Sequence, residues 1–493
     1  MQNKYTSTRN DKVAIDAKAA IYKGFSDDKG LFVLPNLKDI KINIDNLQTQ
    51  SYGEIAYQIL KVLLPDFSAE EIKASIQGAY HDSFDDDKIT PLKKVADFHI
   101  LELFHGPTSA FKDVGLQMLP QLMNRVINDE ERVMILTATS GDTGTAALKG
   151  FKDINNVGIS VFYPENGVSN IQEKQMYTTF GKNTNVTAIS GNFDDAQTNV
   201  KKLFNDETLK QAIGKNVSLS SANSINIGRL IPQIVYYFDA YKQLLQNGDI
   251  KNGQKVNFTV PTGNFGNVLA GYYAKLMGLP INKLIIACNQ NNVIADFFNH
   301  GVYDRNRDFI KTLAPSMDIQ ISSNFERLLY YKSNGNADYV KSIMQNLETT
   351  GRMQVEPDIL ASIKDDFYCN YCSDEDIKKE IRTVFDQYGY LMDPHTAVGY
   401  KVMREYQKSD DQHLNILLST ASPYKFIQAV SKALGLSGGS SDQESIQNIH
   451  AKTGFPIPTN IENLWKQTSQ RPSHIAVKDM KKYVENNVKE LWK

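Results

Sequence analysis

Residues 256–271 read VNFTVPTGNFGNVLAG, and this stretch decides the fold class. The apolar residues up to Val260 predict a buried strand, Pro261 ends it, and a glycine-rich loop opens a helix. Gly263 and Gly266 let the backbone approach a ligand closely, so the N–H groups of residues 264–267 would form an anion site at a helix N-terminus. The loop lacks GKS, GKT and GxGxxG, and a tight turn with an asparagine cap explains it about equally well.

Short apolar strands alternate with helical segments on both sides of this stretch. Five further strands are predicted at residues 133–137, 157–163, 186–189, 283–287 and 415–419, with helices at 52–64, 231–245 and 268–277. Strands that alternate with helices of this length indicate a parallel α/β architecture. Such sheets bind ligands at the carboxyl ends of their strands. We therefore expect the chemistry in the loops that lead from a strand into a helix.

The composition is that of an ordinary globular protein. Of the 493 residues, 41% are hydrophobic and 22% charged, which excludes a largely disordered chain, a collagen-like chain and a disulfide-stapled miniprotein. A net charge of −2 provides no basic excess for nucleic acid or a membrane surface, so a small molecule is the expected partner. Three cysteines, no apolar run of 18 residues and no apolar N-terminal segment predict a cytoplasmic location. Monomer and homodimer both stay open.

The chain divides into four predicted parts. Residues 1–95 form a mostly helical N-terminal domain, and residues 131–190 form a small α/β lobe. The large α/β domain takes residues 96–130 and 191–435, with a helical insertion at about 310–410, and residues 436–493 are a C-terminal extension. Cys369 and Cys372 form a CxxC pair, but no second CxxC is present, so we interpret the pair as coincidence rather than as a zinc or redox site.

A lysine in an apolar setting is the first candidate for a reactive group. Residues 104–119 read FHGPTSAFKDVGLQML, which places Lys112 at an apolar helix start. Burial lowers the pKa of a lysine and makes the amine nucleophilic towards an aldehyde. The alternative is a surface lysine paired with Asp113.

A loop of small residues follows the next predicted strand. Residues 137–147 read TATSGDTGTAA, in which Ser140 and Thr143 supply hydroxyls and Gly141 exposes its backbone N–H. Such a loop suits a carboxylate or a phosphate. The alternative, which the loop alone favours, is an ordinary N-cap from Asp142 or Thr143.

Two later loops carry one further candidate each. Residues 415–426 read NILLSTASPYKF, and the hydroxyl of Thr420 lies at a strand end, where it suits a ring nitrogen or, alternatively, a capping turn. Residues 220–232 read SSANSINIGRLIP, and Arg229 at a helix start suits a phosphate or, alternatively, a surface ion pair.

Taken together and in this order, the loops resemble those of pyridoxal-phosphate enzymes of the tryptophan-synthase-β type, known as fold type II. The resemblance is strongest to the long threonine synthases of microbes and fungi. It rests on HGPTSAFKD (105–113), TSGDTG (139–144), SSANSINIGRLIPQ (220–233), VPTGNFGNVLAG (260–271), GYLMDPHTAVG (389–399) and STASPYKF (419–426), with YTSTR (5–9) and KGLFVLP (29–35) near the N-terminus. It therefore spans nearly the whole chain and implies a two-lobed α/β fold.

The resemblance also implies roles for individual residues. Lys112 would bind pyridoxal 5′-phosphate covalently and later transfer protons, and Thr420 would face the pyridine nitrogen. The cofactor phosphate would be bound by Gly263, Asn264, Phe265, Gly266 and Asn267. The substrate would be bound by Ser140, Gly141 and Thr143 at its carboxylate or neighbouring groups, by Asp142 in the same loop, and by Ser224, Asn226 and Arg229 at its phosphate.

The reaction implied is the conversion of O-phospho-L-homoserine and water to L-threonine and phosphate. Two positions depart from the pattern of related enzymes, which often have Asn in place of Asp142 and Asp in place of Asn267. A carboxylate at residue 142 would repel the phenolate of the cofactor unless it is protonated or bridged by water. The rival hypotheses are a phospho-lyase or threonine dehydratase that releases 2-oxobutyrate, a non-catalytic binding protein of the same fold, and a CxxC metal or redox protein.

Overall fold

Two parallel β-sheets covered by helices form the frame of the structure, a computed structural model that describes residues 4–470 and 472–492. In chain order the strands are β1 (Tyr5–Ser7), β2 (Asn10–Ile15), β3 (Phe32–Val33), β4 (Leu92–Val95), β5 (Phe98–Glu102), β6 (Arg132–Ala138), β7 (Val157–Pro164), β8 (Thr184–Ser190), β9 (Val217–Ser221), β10 (Val256–Pro261), β11 (Ile281–Cys288), β12 (Val302–Asp304), β13 (Arg352–Gln354), β14 (Phe367–Tyr371), β15 (Leu414–Ser419) and β16 (Ser473–Ala476).

The helices follow the same chain order. The first ten are α1 (Ala17–Lys23), α2 (Tyr52–Leu63), α3 (Ala69–Tyr80), α4 (Lys112–Met123), α5 (Asp142–Phe151), α6 (Asn170–Thr178), α7 (Phe193–Phe204), α8 (Glu207–Ile213), α9 (Ile227–Leu230) and α10 (Pro232–Asn247). The remainder are α11 (Gly266–Leu276), α12 (Val293–His300), α13 (Phe325–Lys332), α14 (Ala337–Thr350), α15 (Pro357–Asp366), α16 (Asp374–Tyr388), α17 (Pro394–Gln407), α18 (Ile427–Ala433), α19 (Asp442–Thr453), α20 (Thr459–Glu462) and α21 (Met480–Leu491). No helix in the described part of the chain is long and apolar enough to cross a membrane.

The larger sheet has the strand order β14-β11-β10-β15-β5-β4. Its first five strands are parallel, and β4 pairs with β5 in the antiparallel direction at the edge. The α/β fold with parallel sheets predicted from the sequence is thus confirmed. Strand β14 lies inside the predicted helical insertion, where its sequence FYCNY alternates too weakly to indicate a strand. On this strand Cys369 Sγ lies 3.9 Å from Cys288 Sγ of β11.

The smaller sheet has the order β16-β8-β7-β6-β9, and all its pairs are parallel. It extends beyond the predicted small lobe of residues 131–190, because β9 and β16 form its two edges. Strand β9 reads VSLSS, which is too polar to stand out as a strand. Strand β16 comes from the predicted C-terminal extension. No local pattern in the sequence indicates that it pairs with β8, which lies much earlier in the chain.

The N-terminal region contains strands as well as the predicted helices. Strands β2, β1 and β3 form a small antiparallel sheet, with strands of two to six residues that are too short for their period to be recognised. Helices α2 and α3 each begin with a complete capping box, Ser51 with Glu54 and Ser68 with Glu71. Each box satisfies N–H groups that a helix start leaves unpaired.

The order of the strands brings the functional loops together. In the larger sheet β5, β15 and β10 are neighbours, so the loops after them lie side by side at the carboxyl edge. In the smaller sheet β6 and β9 are neighbours, which places residues 139–144 beside residues 222–229. Since ligands bind at this edge of a parallel sheet, one cleft between the two sheets is the expected site.

A buried arginine fastens the N-terminal region to this edge. Arg327 on α13 is fully buried, and its guanidinium donates to the carbonyl oxygens of Phe32 (3.0 Å), Ser224 (3.3 Å) and Ile225 (2.6 Å). It also donates to the side chain of Asn324. One side chain therefore joins β3, the loop before α9 and α13.

We expect Arg327→Met to lower the free energy of unfolding by about 3 kcal/mol, because it leaves three buried carbonyl oxygens without a donor at about 1 kcal/mol each. Urea unfolding followed by circular dichroism measures the change. Arg352→Met at an exposed position should change stability by no more than about 0.5 kcal/mol. Equal losses in the two variants would contradict the role of Arg327.

Candidate active site

A cleft lies between the carboxyl ends of the two sheets. Most of the residues predicted from the sequence to form the site line it together: Lys112, Ser140, Asp142, Thr143, Ser224, Arg229, Gly263, Asn264, Phe265, Gly266, Asn267 and Thr420. These residues come from five separate segments of the chain. The strand order described above is what brings them to one place.

Lys112 is the first residue of α4 and is buried, not paired at the surface. The N–H of Phe111 donates to the carbonyl of Thr420 (2.8 Å), which fixes the lysine loop against the end of β15. Asp113, the alternative partner, accepts instead from the hydroxyl of Thr108 (2.7 Å). Burial lowers the pKa of the Lys112 amine to about 8, although the nearby carboxylate of Asp142 opposes the shift. A substantial fraction of the amine is therefore neutral near pH 8.

Asp142 is a buried carboxylate held between two ammonium groups. Its Oδ1 lies 2.9 Å from Lys425 Nζ, and its Oδ2 lies 3.6 Å from Lys112 Nζ. The side chains of Gln172 (2.8 Å) and Ser316 (3.1 Å) donate to the same carboxylate. Burial alone would raise the pKa of Asp142, but Lys425 and Lys112 hold it well below its usual range. The carboxylate is therefore ionised, and its charge is compensated within the protein.

The glycine-rich loop has the geometry of an anion site. Phe265 has φ of 65°, the left-handed conformation that turns successive N–H groups towards one point, and α11 begins at the next residue. At Gly263 a Cβ atom would lie 2.9 Å from the carbonyl oxygen of Ser316, so a side chain has no room there. Helix α11 adds the positive end of its dipole.

Asn267 contributes an unpaired donor to this loop. Its Oδ1 accepts from the hydroxyls of Tyr236 (2.6 Å) and Tyr237 (3.0 Å), which fixes the orientation of the amide. Its Nδ2 is buried and has no partner among the described residues. A buried donor without an acceptor is costly, and an anion in the cleft would supply the acceptor.

Arg229 is a second cationic group in the cleft. It is buried, its Nη1 donates to the carbonyl of Ala222 (2.9 Å), and its Nη2 lies 3.5 Å from Thr143 Oγ1. Burial lowers its pKa to about 10, and no carboxylate in the described part of the chain forms an ion pair with it. The alternative of a surface ion pair is therefore wrong, and the guanidinium suits an anionic ligand.

Two residues predicted to bind substrate do not line the cleft. The side chain of Asn226 caps α9 through the N–H of Gly228 (2.9 Å) and donates to the carbonyl of Ile21 (3.0 Å). The N–H of Gly141 donates to Thr139 Oγ1 (2.9 Å) inside its own loop. Both polar groups are already used by the fold, which the local sequence does not reveal.

Three residues in or next to the cleft were not assigned roles from the sequence. Lys425 and Ser316 hold Asp142, as described above. His395 lines the cleft, donates from Nδ1 to Asp393 (2.7 Å) and accepts at Nε2 from the N–H of Ser316 (3.2 Å). Lys425 and His395 lie in two of the motifs quoted above, but no spacing rule connects either of them with residue 142.

Comparisons with known proteins agree over most of the chain. Family profiles match at residues 4–80 ("Threonine synthase N terminus"), 89–417 ("Pyridoxal-phosphate dependent enzyme") and 396–483 ("Threonine synthase, C-terminal"). The chain is 38% identical to the threonine synthase of Pseudomonas aeruginosa, over 87% of this chain and 90% of the relative. It is 37% identical to the threonine synthase of Saccharomyces cerevisiae, over 87% and 89%. It is also 38% identical to human threonine synthase-like 1, but spans only 57% of that protein's length.

Solved structures give the same relationship. The crystal structure of PLP-bound threonine synthase from Brucella melitensis superposes with a TM-score of 0.86 at 35% identity, covering 98% of this chain and 99% of that one. Threonine synthase from yeast superposes with a TM-score of 0.86 at 34% identity, covering 99% of each chain. The fold and the family match thus place the chain in the fold type II family of pyridoxal-phosphate-dependent enzymes. Within this class, the chain belongs to the threonine synthase family.

The residues of the cleft fit pyridoxal 5′-phosphate. Lys112 offers a buried amine of lowered pKa for its aldehyde, and residues 263–267 offer N–H groups and the unpaired amide of Asn267 for its phosphate. The repulsion expected from a carboxylate at residue 142 is offset, because the ammonium of Lys425 already pairs with it.

The charges of Asp142, Lys112 and Lys425 predict how the rate of cofactor binding depends on pH. Only the neutral amine attacks an aldehyde, so the rate should rise with pH and level off above about 8, the pKa of Lys112. In Asp142→Asn the anion that raises this pKa is gone, so the rise should move to lower pH. In Lys425→Met a cation that lowers it is gone, so the rise should move to higher pH.

Stopped-flow growth of the visible absorption band, after apoprotein is mixed with pyridoxal 5′-phosphate, measures this rate. Asp97→Asn, on a carboxylate of the protein surface, is the control and should not move the profile. Shifts of the same sign in Asp142→Asn and Lys425→Met would show that the cluster does not set the pKa of Lys112.

Proposed function

We propose that this chain is a threonine synthase, which binds pyridoxal 5′-phosphate at Lys112 and converts O-phospho-L-homoserine and water to L-threonine and phosphate. One observation carries the proposal. The cleft that holds the buried amine of Lys112 also holds two separate anion positions, the loop of residues 263–267 and the guanidinium of Arg229. A cofactor phosphate and a substrate phosphate need one position each.

The second anion position suits the substrate phosphate. Arg229 presents its guanidinium beside the hydroxyl of Thr143, and Ser224 lines the same cleft. Among the described residues Arg229 has no carboxylate partner, so the donors that Ala222 does not use stay available for a phosphate, which an arginine can bind through two parallel hydrogen bonds. Ser140 lies just before the start of α5, where the helix dipole favours negative charge, and this supports a role for it in binding the substrate carboxylate.

Lys112 is the residue best placed to transfer protons. When bound, pyridoxal phosphate withdraws electrons from the α-carbon of the substrate and so acidifies its C–H bond. The Lys112 Nζ, with a pKa of about 8, can accept that proton and return it near neutral pH. The other lysine of the cluster, Lys425, is held by Asp142 and by the carbonyl of Thr108 (2.7 Å), so it is less free to do so.

The overall reaction sets what these residues must support. Protons leave the α- and β-carbons, the bond between the γ-carbon and the phosphate oxygen breaks, and a proton reaches the γ-carbon. The oxygen of water then adds to the β-carbon, and a proton returns to the α-carbon. Arg229 would hold the departing phosphate, and its positive charge favours the negative charge that develops as this bond breaks.

The second candidate is a lyase that releases 2-oxobutyrate from the same substrate. The similarity to threonine synthase-like 1 is as high as that to the bacterial threonine synthase, so overall similarity does not decide the product. The two activities share the cofactor, the lysine and the loss of phosphate. They differ in whether water adds to the β-carbon before the product leaves.

Product analysis of the holoenzyme with O-phospho-L-homoserine tests the proposal. We expect L-threonine and phosphate in equal amounts, with no 2-oxobutyrate. Lys112→Ala should lose the visible absorption band and more than about 100-fold in activity, since general acid–base catalysis contributes at least that much. Phosphate released with 2-oxobutyrate in place of threonine would overturn the threonine synthase assignment and support the lyase.

Arg229 should act through the phosphate of the substrate. We expect Arg229→Gln to lower kcat/KM by roughly 100-fold, in line with the loss of one partner from a buried charged contact. The kcat/KM of Arg229→Lys should lie between that of Arg229→Gln and that of the unaltered enzyme, because lysine keeps the charge but cannot form two parallel hydrogen bonds. The visible band of the cofactor should be unchanged in both. Activity of Arg229→Gln equal to that of the unaltered enzyme would remove Arg229 from the site.

A further inference from the structure

A second cavity, of about 540 Å³, lies between the N-terminal region, helix α7 and the insertion that carries α13 and α14. We call it the N-terminal cavity. None of Lys112, Asp142, Arg229 or the loop of residues 263–267 lines it. Its volume is in the range that holds a small organic ligand. The mechanism proposed above does not use it.

The walls of the N-terminal cavity are largely apolar. Three parts of the chain contribute to them, through Phe25, Leu31, Ile225, Ile321, Met344 and Leu347. Leu31 and Leu347 are buried, and the others are half-buried. A ligand gains binding free energy from this surface only if it carries apolar surface of its own to bury there. O-phospho-L-homoserine is too small and too polar to make use of it.

The polar part of the lining is basic. It carries five cationic side chains, Arg9, Lys29, Lys201, Lys202 and Arg305, and two carboxylates, which gives a formal charge of +3. Both carboxylates are bound by Arg9, Glu326 at 2.9 Å and Glu348 at 2.7 Å. The lining therefore offers no further carboxylate to Lys29, Lys202 or Arg305, and the cavity favours an anion.

One wall of the cavity is bonded directly to the cofactor loop. The hydroxyl of Ser322, which lines the cavity, donates to the carbonyl of Gly263 (2.7 Å). The N–H of Asn324 donates to the carbonyl of Asn264 (3.1 Å), and its amide donates to the hydroxyl of Ser224 (2.9 Å). A ligand that orders or displaces residues 322–324 therefore acts on both anion positions of the active site.

We propose that the N-terminal cavity is a second ligand site, which takes a small anion with an apolar body, and that its occupancy changes the affinity of the cofactor loop for phosphate. The apolar walls select the body of the ligand and the basic side chains select its charge. The bonds from residues 322–324 to residues 263–264 carry the coupling. By linkage, the cofactor must change the affinity of the second ligand by the same factor.

The fluorescent anion 1-anilinonaphthalene-8-sulfonate is a suitable probe, since it joins one sulfonate to an aromatic body. We expect it to bind the holoenzyme saturably, with one site per chain. Leu347→Trp, which fills the cavity, should weaken binding at least tenfold, and so should Met344→Trp at its half-buried edge. The visible band of the cofactor should persist in both variants.

Charge is tested separately from volume. The double variant Lys202→Gln and Arg305→Gln should weaken binding of the probe several-fold, whereas Lys93→Gln, at an exposed position of β4, should not change it. Saturable binding that these cavity variants leave unaltered would overturn the proposal. So would competition between the probe and pyridoxal 5′-phosphate for a single site, because it would place the probe in the active-site cleft.

The coupling is measured by titrating apoprotein with pyridoxal 5′-phosphate with and without saturating probe. We expect the apparent dissociation constant to change by at least twofold, and Ser322→Ala to reduce that change while probe binding persists. An unchanged dissociation constant would refute the coupling. These measurements do not require that threonine is the product, so they can fail or succeed independently of the proposed function.

Discussion

The buried carboxylate of Asp142 between Lys112 and Lys425 is the interaction on which the rest of the site depends. It belongs to α5, which follows a strand of the smaller sheet, whereas both lysines follow strands of the larger sheet. Loss of Asp142 would leave two buried ammonium groups without a counter-charge, at a cost of several kcal/mol. The cluster therefore joins the two sheets across the cleft, at the amine of Lys112.

The same cluster determines which of three cations, Lys112, Lys425 and Arg229, is left to bind an anion. Asp142 compensates Lys425 and part of Lys112, while Arg229 has no acidic partner in the described part of the chain. Arg229 and the N–H groups of residues 263–267 therefore form the two positions at which an anion can bind. Parallel strand order places these elements at one edge, so the electrostatics of the site follow from the topology of the sheets.

The sequence predicted the class of fold and most of the cleft, because both depend on local signals. Apolar strands of five or more residues, such as Val256–Pro261, and the loops that follow them are visible in one pass. It failed where the signal is not local. The short or polar strands β3, β9 and β14 lack a clear period, Asn226 is used as a helix cap, and Lys425 meets Asp142 only through tertiary packing. The division into domains stays a prediction, as do the roles of the site residues.

The source of the oxygen atoms in the products tests the proposed reaction most directly. If the holoenzyme turns over O-phospho-L-homoserine in water labelled with oxygen-18, breaking the bond to the γ-carbon leaves the phosphate unlabelled. Addition of water to the β-carbon then places one labelled oxygen in the hydroxyl of threonine. We predict this pattern by mass spectrometry of both products. Labelled phosphate accompanied by homoserine would mean that water attacks phosphorus, and it would contradict the account.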